Sequence, residues 1–270
     1  MYPVLFHYGW LTVYSYGVLV ATGVIVGLFV ARWQARKLKL NPDQIWNLGI
    51  YMVLIALAGS KLWMILGDLP YYWHNPGEIF SYSTLQSGGD IYGGVVFGLL
   101  FIWLYVRRQK LGYFAVADAF AAPLALGHAI GRIGCFCAGC CWGKPTTMPW
   151  GITFTNPLAA SLVGTPLNVP LQPTQLFEAG LEFLNFLFLI WLGKRQKFTG
   201  ELVATWMILY GIERGSLEFI RNDPGRGMMF GGTVSFMQFV SLGMILFGTW
   251  LFLKHRSVST PNVSAELARR

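Results

Sequence analysis

The chain has 270 residues, of which 54% are hydrophobic and only 12% are charged, about half the charged share of a soluble domain. That balance excludes an ordinary soluble enzyme and predicts an all-α polytopic membrane protein, with 11 tryptophans and 12 tyrosines to form interfacial belts. The net charge of +8 is not a nucleic-acid signal, because most of the cations sit in clusters beside apolar runs.

A span takes about 20 mainly apolar residues, and about seven transmembrane helices are expected. The first covers about Tyr14 to Ala31 and is closed by Arg32, Arg36, Lys37 and Lys39. No basic residues precede it, so it is expected to remain as a span and not to be cleaved as a signal peptide. The second covers about Ile45 to Leu66, with Lys61 inside it, and a loop rich in Tyr, Trp and Pro follows from Asp68 to Ser87. The third covers about Ile91 to Val106, closed by Arg107, Arg108 and Lys110, and the fourth about Tyr113 to Gly134. Residues Cys135 to Pro173 are too broken by Pro, Gly and Thr to span. The fifth covers about Thr174 to Leu192, closed by Lys194, Arg195 and Lys197; the sixth about Glu201 to Ile220; the seventh about Phe230 to Leu253, closed by Lys254, His255 and Arg256. Residues 1–256 therefore read as a single transmembrane domain, and 257–270 as a polar, mobile cytoplasmic tail.

Twelve of the 20 Lys and Arg fall in the clusters after spans one, three, five and seven. The positive-inside rule then puts the N-terminus outside and the C-terminus in the cytoplasm. The loops at about 67–90, 135–173 and 221–229 become periplasmic, and chemistry carried by them opens to the exterior.

Ionisable residues inside apolar sequence are expensive and are functional candidates by default. Lys61, Asp118, Arg132, Glu178, Glu182, Glu213, Arg214 and Glu218 are of this kind. Arg214 and Glu218 are four apart and share a helical face, with Arg221 three residues further on roughly the same side. A face of two cations and one anion is either a salt-bridge stripe that fixes packing or an anion site in which the glutamate aims the arginines. Arg132 and Arg214, from different spans at similar depth, could clamp a phosphate, and a lipid phosphodiester is the anion at hand there. The tract Ser87-Gly88-Gly89-Asp90-Ile91-Tyr92-Gly93-Gly94 opens the third span. It suits close backbone approach or anion binding, or a helix contact eased by small residues.

All four cysteines, Cys135, Cys137, Cys140 and Cys141, fall within seven residues directly after Arg132. One or two disulfides are compatible with an exported loop, a metal site would use four thiolates, and free thiols would pack as small hydrophobes. Zinc sites bring two separated pairs, so no metal is expected. No cofactor is expected either.

These motifs together resemble the prolipoprotein diacylglyceryl transferases of bacteria over nearly the whole chain. The family's G-R-x-G-N-F-x-N-x-E-x-x-G signature is matched by Gly131-Arg132-Ile133-Gly134-Cys135-Phe136 through Gly143; Tyr16-Gly17, Gly88-Gly89 with Gly93-Gly94, Pro173-Thr174-Gln175-Leu176-Phe177-Glu178, and Tyr210-Gly211 with Arg214, Glu218 and Arg221 match further motifs. The chain departs from the pattern where Cys135 and Cys140 replace an asparagine and an acidic residue, where Tyr92 replaces a histidine, and where Lys61 replaces an arginine.

The resemblance implies transfer of the diacylglyceryl group of phosphatidylglycerol to the lipobox cysteine of exported preprolipoproteins in the bacterial cytoplasmic (inner) membrane. Its partners would be phosphatidylglycerol, lipobox signal peptides and membrane lipids, with no nucleic acid. Arg132 and Arg214 would stabilise the departing phosphate, and Tyr16, Lys61, Gly89, Gly93, Gln175, Glu178, Glu218 and Arg221 would line the lipid site. The acceptor thiol must lose a proton. His128 and Tyr92 are candidate bases beside Glu178, Glu213 and Glu218, unless the arginines alone lower the thiol pKa. Rival expectations are a related lipid-modifying transferase with another acceptor, a membrane thiol–disulfide protein using the cysteine loop, and a transporter or lipid-binding protein without chemistry.

Overall fold

The computed structural model describes residues 2–9, 11–81, 84, 89–223 and 226–259. Ser87, Gly88 and the tail beyond Ser259 lie outside the described residues. Nine α-helices are present among the described residues: α1 (Ser15–Lys37), α2 (Pro42–Gly67), α3 (Leu69–His74), α4 (Ile91–Arg108), α5 (Tyr113–Ala138), α6 (Pro157–Val163), α7 (Thr174–Gly193), α8 (Glu201–Leu217) and α9 (Phe236–Ser259). A helix covers each segment expected to span. Five of them, α1, α2, α5, α7 and α9, are long and apolar enough to cross a membrane.

Three small antiparallel ribbons join the helices: β1 (Val4–Tyr8) with β2 (Leu11–Tyr14), β3 (Ile152–Thr153) with β4 (Pro170–Leu171), and β5 (Met228–Met229) with β6 (Val234–Ser235). The last ribbon corrects the start expected for the seventh span. Gly231 and Gly232 take φ of 69° and 92°, left-handed backbone that a helix cannot use, so α9 begins at Phe236 and not at Phe230. Two more boundaries differ. Helix α5 continues past Gly134 to Ala138 and takes in Cys135 and Cys137, because the left-handed residue that stops it is Gly139 (φ 85°). Helix α9 continues to Ser259, three residues into the expected tail.

The chain forms two compact units, one of Met1–Ala31 with Ala117–Arg270 and one of Arg32–Val116. In the first, small residues set the helix contacts. A methyl group on Gly23 of α1 would stand 2.8 Å from the Gly127 carbonyl of α5, and one on Gly211 of α8 would stand 2.8 Å from the Ser241 carbonyl of α9. Such close backbone approach is how helices associate where lipid removes the hydrophobic drive. Asp118 of α5 accepts from the backbone N–H groups of Gly200 (2.6 Å) and Val203 (3.0 Å) and from Gln196. It therefore satisfies amides at the start of α8 that have no helical partner. In the second unit, Asn41 caps α2 through the N–H groups of Asp43 and Gln44, and α2 packs on α4.

Candidate active site

Helix α7 carries an unusual stripe. Gln175, Glu178 and Glu182 are spaced to share one face, and all three are buried. That face is polar inside a helix that is otherwise apolar, so it needs partners. Arg132 from α5 places Nη2 2.8 Å from Glu178 Oε2. Arg214 from α8 places Nε 3.9 Å from Glu178 Oε1. One carboxylate, 1% exposed, thus draws together the guanidinium groups of two buried arginines from two helices.

Arg214 is held again by Glu218, one turn on, at 2.5 Å. Glu218 in turn accepts from Arg226 Nε at 2.7 Å, and Arg226 also donates to the carbonyls of Glu218 and Arg221. Arg221 forms a two-pronged pair with Asp223, at 2.9 and 2.8 Å. The cluster sets four guanidinium groups against the carboxylates of Glu178, Glu218 and Asp223.

The cysteine loop is sewn to this cluster by its backbone. Gln175 Nε2 donates to the Cys140 carbonyl at 2.5 Å, and Thr174 Oγ1 to the Cys141 carbonyl at 2.6 Å. Gly143 pairs with Arg221 as an isolated bridge, and the Asn222 N–H donates to the Trp142 carbonyl at 3.1 Å. All four cysteines are free thiols in the structure. Arg132 Nη1 lies 3.7 Å from Cys135 Sγ. The Cys141 thiol is held below the ordinary thiol range by hydrogen bonds with Cys135 and Cys140, and then by the charges of Arg132 and Arg221.

His128, one turn before Arg132, lies between two carboxylates: Nε2 is 3.6 Å from Glu178 and Nδ1 is 4.0 Å from Glu182. The Tyr210 ring meets it edge-on at 5.4 Å. Glu213 is held by Asn185 of α7 at 2.9 Å. Tyr16 of α1 is half-exposed, and its Cδ2 is 3.4 Å from where a methyl group on Gly134 would stand. On its other flank α7 lines an apolar groove of about 690 Å³, with Leu176, Phe177, Gly180, Leu181 and Leu184, joined by Leu217 of α8.

The structure therefore gathers Arg132, Arg214, His128, Gln175, Glu178, Glu218 and Arg221 in the first unit. Lys61, Gly89, Tyr92 and Gly93 form a second group in the other unit. There Lys61 donates to the Thr84 carbonyl, and Gly89 (φ 71°) turns the chain so that the Asp90 N–H reaches the Ser60 carbonyl at 3.0 Å. Asp90 caps α4 by accepting from the Tyr92 N–H at 2.8 Å. A methyl group on Gly93 would meet Trp63 Cβ at 2.2 Å and the Gly59 carbonyl at 2.4 Å. Gly93 is thus packed against α2, and Gly93→Ala is expected to destabilise the protein by about 1–3 kcal/mol through overpacking. A lower thermal midpoint in detergent would show this; an unchanged midpoint would mean the position is open for ligand.

The sequence marks Glu182 only as one of several intramembrane ionisable residues, and Asn185, Asp223 and Arg226 have no role assigned from it. The spacing of Gln175, Glu178, Glu182 and Asn185 was a readable signal for the first two, since these are the polar positions of one face of α7. Asp223 and Arg226 lie in a short connection with no periodicity to mark them.

Comparison with known proteins identifies the chain's relatives. Residues 3–254 match the family model described as prolipoprotein diacylglyceryl transferase. The chain is similar to a phosphatidylglycerol–prolipoprotein diacylglyceryl transferase of Clostridium tetani, 35% identical over 252 residues, which is 93% of this chain and 97% of the relative. It is similar to the enzyme named as the second such transferase of Clostridium perfringens, at 36% over 90% and 91% of the two chains. A relative of the same name from Francisella tularensis subsp. novicida is 31% identical over 97% of both.

Proposed function

The chain belongs to the prolipoprotein diacylglyceryl transferase family, and from that premise we propose that it moves the diacylglyceryl group of phosphatidylglycerol onto the lipobox cysteine of exported preprolipoproteins. A thioether forms and glycerol phosphate leaves. The observation that carries this reading is the shared carboxylate: Glu178 holds Arg132 and Arg214 side by side, the arrangement a phosphodiester needs for a two-armed grip.

The bond that breaks joins a glyceryl carbon to a phosphate oxygen, so negative charge grows on the departing phosphate. Two guanidinium groups already fixed by Glu178 and Glu218 meet that charge without reorganising, which is usually the largest single contribution to catalysis. The apolar groove along α7 suits an acyl chain, because it lies on the helix that carries Glu178. The attacking sulfur must be a thiolate. His128 is the proton acceptor in this proposal, supported by its position between Glu178 and Glu182, which would hold the imidazole in place.

His128→Gln is expected to slow transfer at least about a hundredfold, measured as the rate of peptide modification. A rate near that of the unsubstituted protein would leave thiol activation to the arginines alone.

The seven helical segments are taken as seven spans in the bacterial inner membrane, with the N-terminus outside and the site toward the periplasmic face. Support comes from the Lys and Arg clusters on alternate loops. The function is tested by incubating the purified protein with phosphatidylglycerol and a lipobox peptide. The peptide should gain the mass of one diacylglyceryl group on its cysteine. An unmodified peptide, with binding of the lipid retained, would overturn the transferase reading.

A further inference from the structure

Three thiols converge where the family pattern has an amide, a carboxylate and no requirement for sulfur. The Sγ atoms of Cys135, Cys140 and Cys141 all lie within 4.8 Å of one another, with Cys140 and Cys141 3.6 Å apart. Zinc–thiolate bonds of about 2.3 Å in a three-coordinate site put the sulfurs about 4 Å apart, so closing these three around one ion takes shifts of less than about 1 Å. We propose that Cys135, Cys140 and Cys141 form a three-thiolate site for a thiophilic d¹⁰ cation such as Zn²⁺.

Two further features favour a built site over three sulfurs that merely fill space. The donors are held by backbone that cannot drift. Cys135 sits on the last turn of α5, and the Cys140 and Cys141 carbonyls are pinned by the buried Gln175 and Thr174. Cys141 takes φ 63°, a left-handed conformation that a non-glycine residue adopts only where its surroundings impose it. The charges also match. Three thiolates and a divalent cation carry one net negative charge, and the Arg132 guanidinium already stands 3.7 Å from Cys135 Sγ. Soft sulfur donors select ions of this class over Mg²⁺ or Ca²⁺. Cys137 does not belong to the group. It is two residues from Cys135 on the same helix and so projects from a different side.

Metal binding at this site is measured without transferase activity, but the two should interact. An anionic metal–thiolate group beside Arg132 competes for the charge that the phosphate clamp uses, so Zn²⁺ is expected to slow transfer in a Cys135-dependent way. That part rests on the function proposed above, and direct binding is measured separately to keep the two apart.

The test uses the full chain in detergent, reduced with a phosphine and titrated with Cd²⁺ and with Zn²⁺. Expected are one equivalent of Zn²⁺ bound and a sulfur-to-cadmium charge-transfer absorbance that saturates at one equivalent. Cys135→Ser, Cys140→Ser and Cys141→Ser should each weaken Zn²⁺ at least tenfold, while Cys137→Ser binds as the unsubstituted protein does. The proposal is overturned if no charge-transfer band develops, if the triple serine variant keeps it, or if Cys137→Ser abolishes it. Loss of binding counts only where the variant elutes as the same monodisperse species as the parent, and Cys137→Ser sets that standard.

Discussion

Replacing Arg132 by alanine is expected to lower the rate of diacylglyceryl transfer by about a thousandfold, the largest effect of any single side chain in the cluster. A single fixed donor aimed at developing negative charge is worth about 10²–10³ in rate, and Arg132 supplies both a charge and a fork of donors. Arg132→Lys keeps the charge but loses the planar fork, so about a hundredfold loss is expected there. Alanine at this position also leaves Glu178 with the 3.9 Å contact to Arg214 and the 3.6 Å contact to His128, and a buried charge that loses its close partner costs about 3–5 kcal/mol. The double variant Arg132→Ala, Glu178→Gln removes both charges and separates the two effects. It should regain the thermal midpoint lost in the single variant while remaining inactive. Transfer at the parental rate in a well-folded Arg132→Ala protein would remove the phosphate clamp from the mechanism.

Much of that cluster was legible from chemistry alone. Arg132 and Arg214 stand out because a guanidinium in apolar sequence is too costly to be incidental, and the four-residue step from Arg214 to Glu218 made their 2.5 Å pair readable from helical geometry. What could not be read is the identity of the residue that joins the two arginines. Glu178 lies on a third helix, and which of several buried acids meets Arg132 depends on the rotation of α7, set by packing and not by local pattern. The cysteine stretch was misplaced for a related reason. Gly134 and Gly139 are equally plausible helix stops in sequence. Gly134 is accommodated by close approach to Tyr16 and Leu19 of α1, while Gly139 takes the left-handed turn. The convergence of Cys135 with Cys140 and Cys141 follows from that choice, since the last turn of α5 and the reversal at Gly139 bring them back to one point. The glycine tract before α4 shows the converse. Its two candidate roles were equally readable, and only coordinates put Gly93 against Trp63 and the Gly59 carbonyl.

Glu178→Gln is expected to reduce kcat at least a hundredfold and, unlike the loss of an arginine, to lower KM for the lipid. The reason lies in the charge count at the point where α5, α7 and α8 meet. Glu178 is the only carboxylate within 4.0 Å of both Arg132 and Arg214 among the described residues. With the amide in its place the two guanidinium groups keep a neighbour of the same shape but lose their shared counter-charge. They then attract any phosphate more strongly, the intact lipid and the departing glycerol phosphate alike. Ground-state binding improves, and product release and the differential stabilisation that drives the reaction both suffer. Added glycerol phosphate should therefore inhibit the variant at lower concentration than it inhibits the parent. Glu178→Ala should show the same kinetic signature on top of a destabilisation of about 3–5 kcal/mol, because two buried cations are left without their bridge. The opposite pattern, a raised KM with kcat unchanged in Glu178→Gln, would mean that Glu178 grips the substrate itself, and the arginines would then need another explanation for standing side by side.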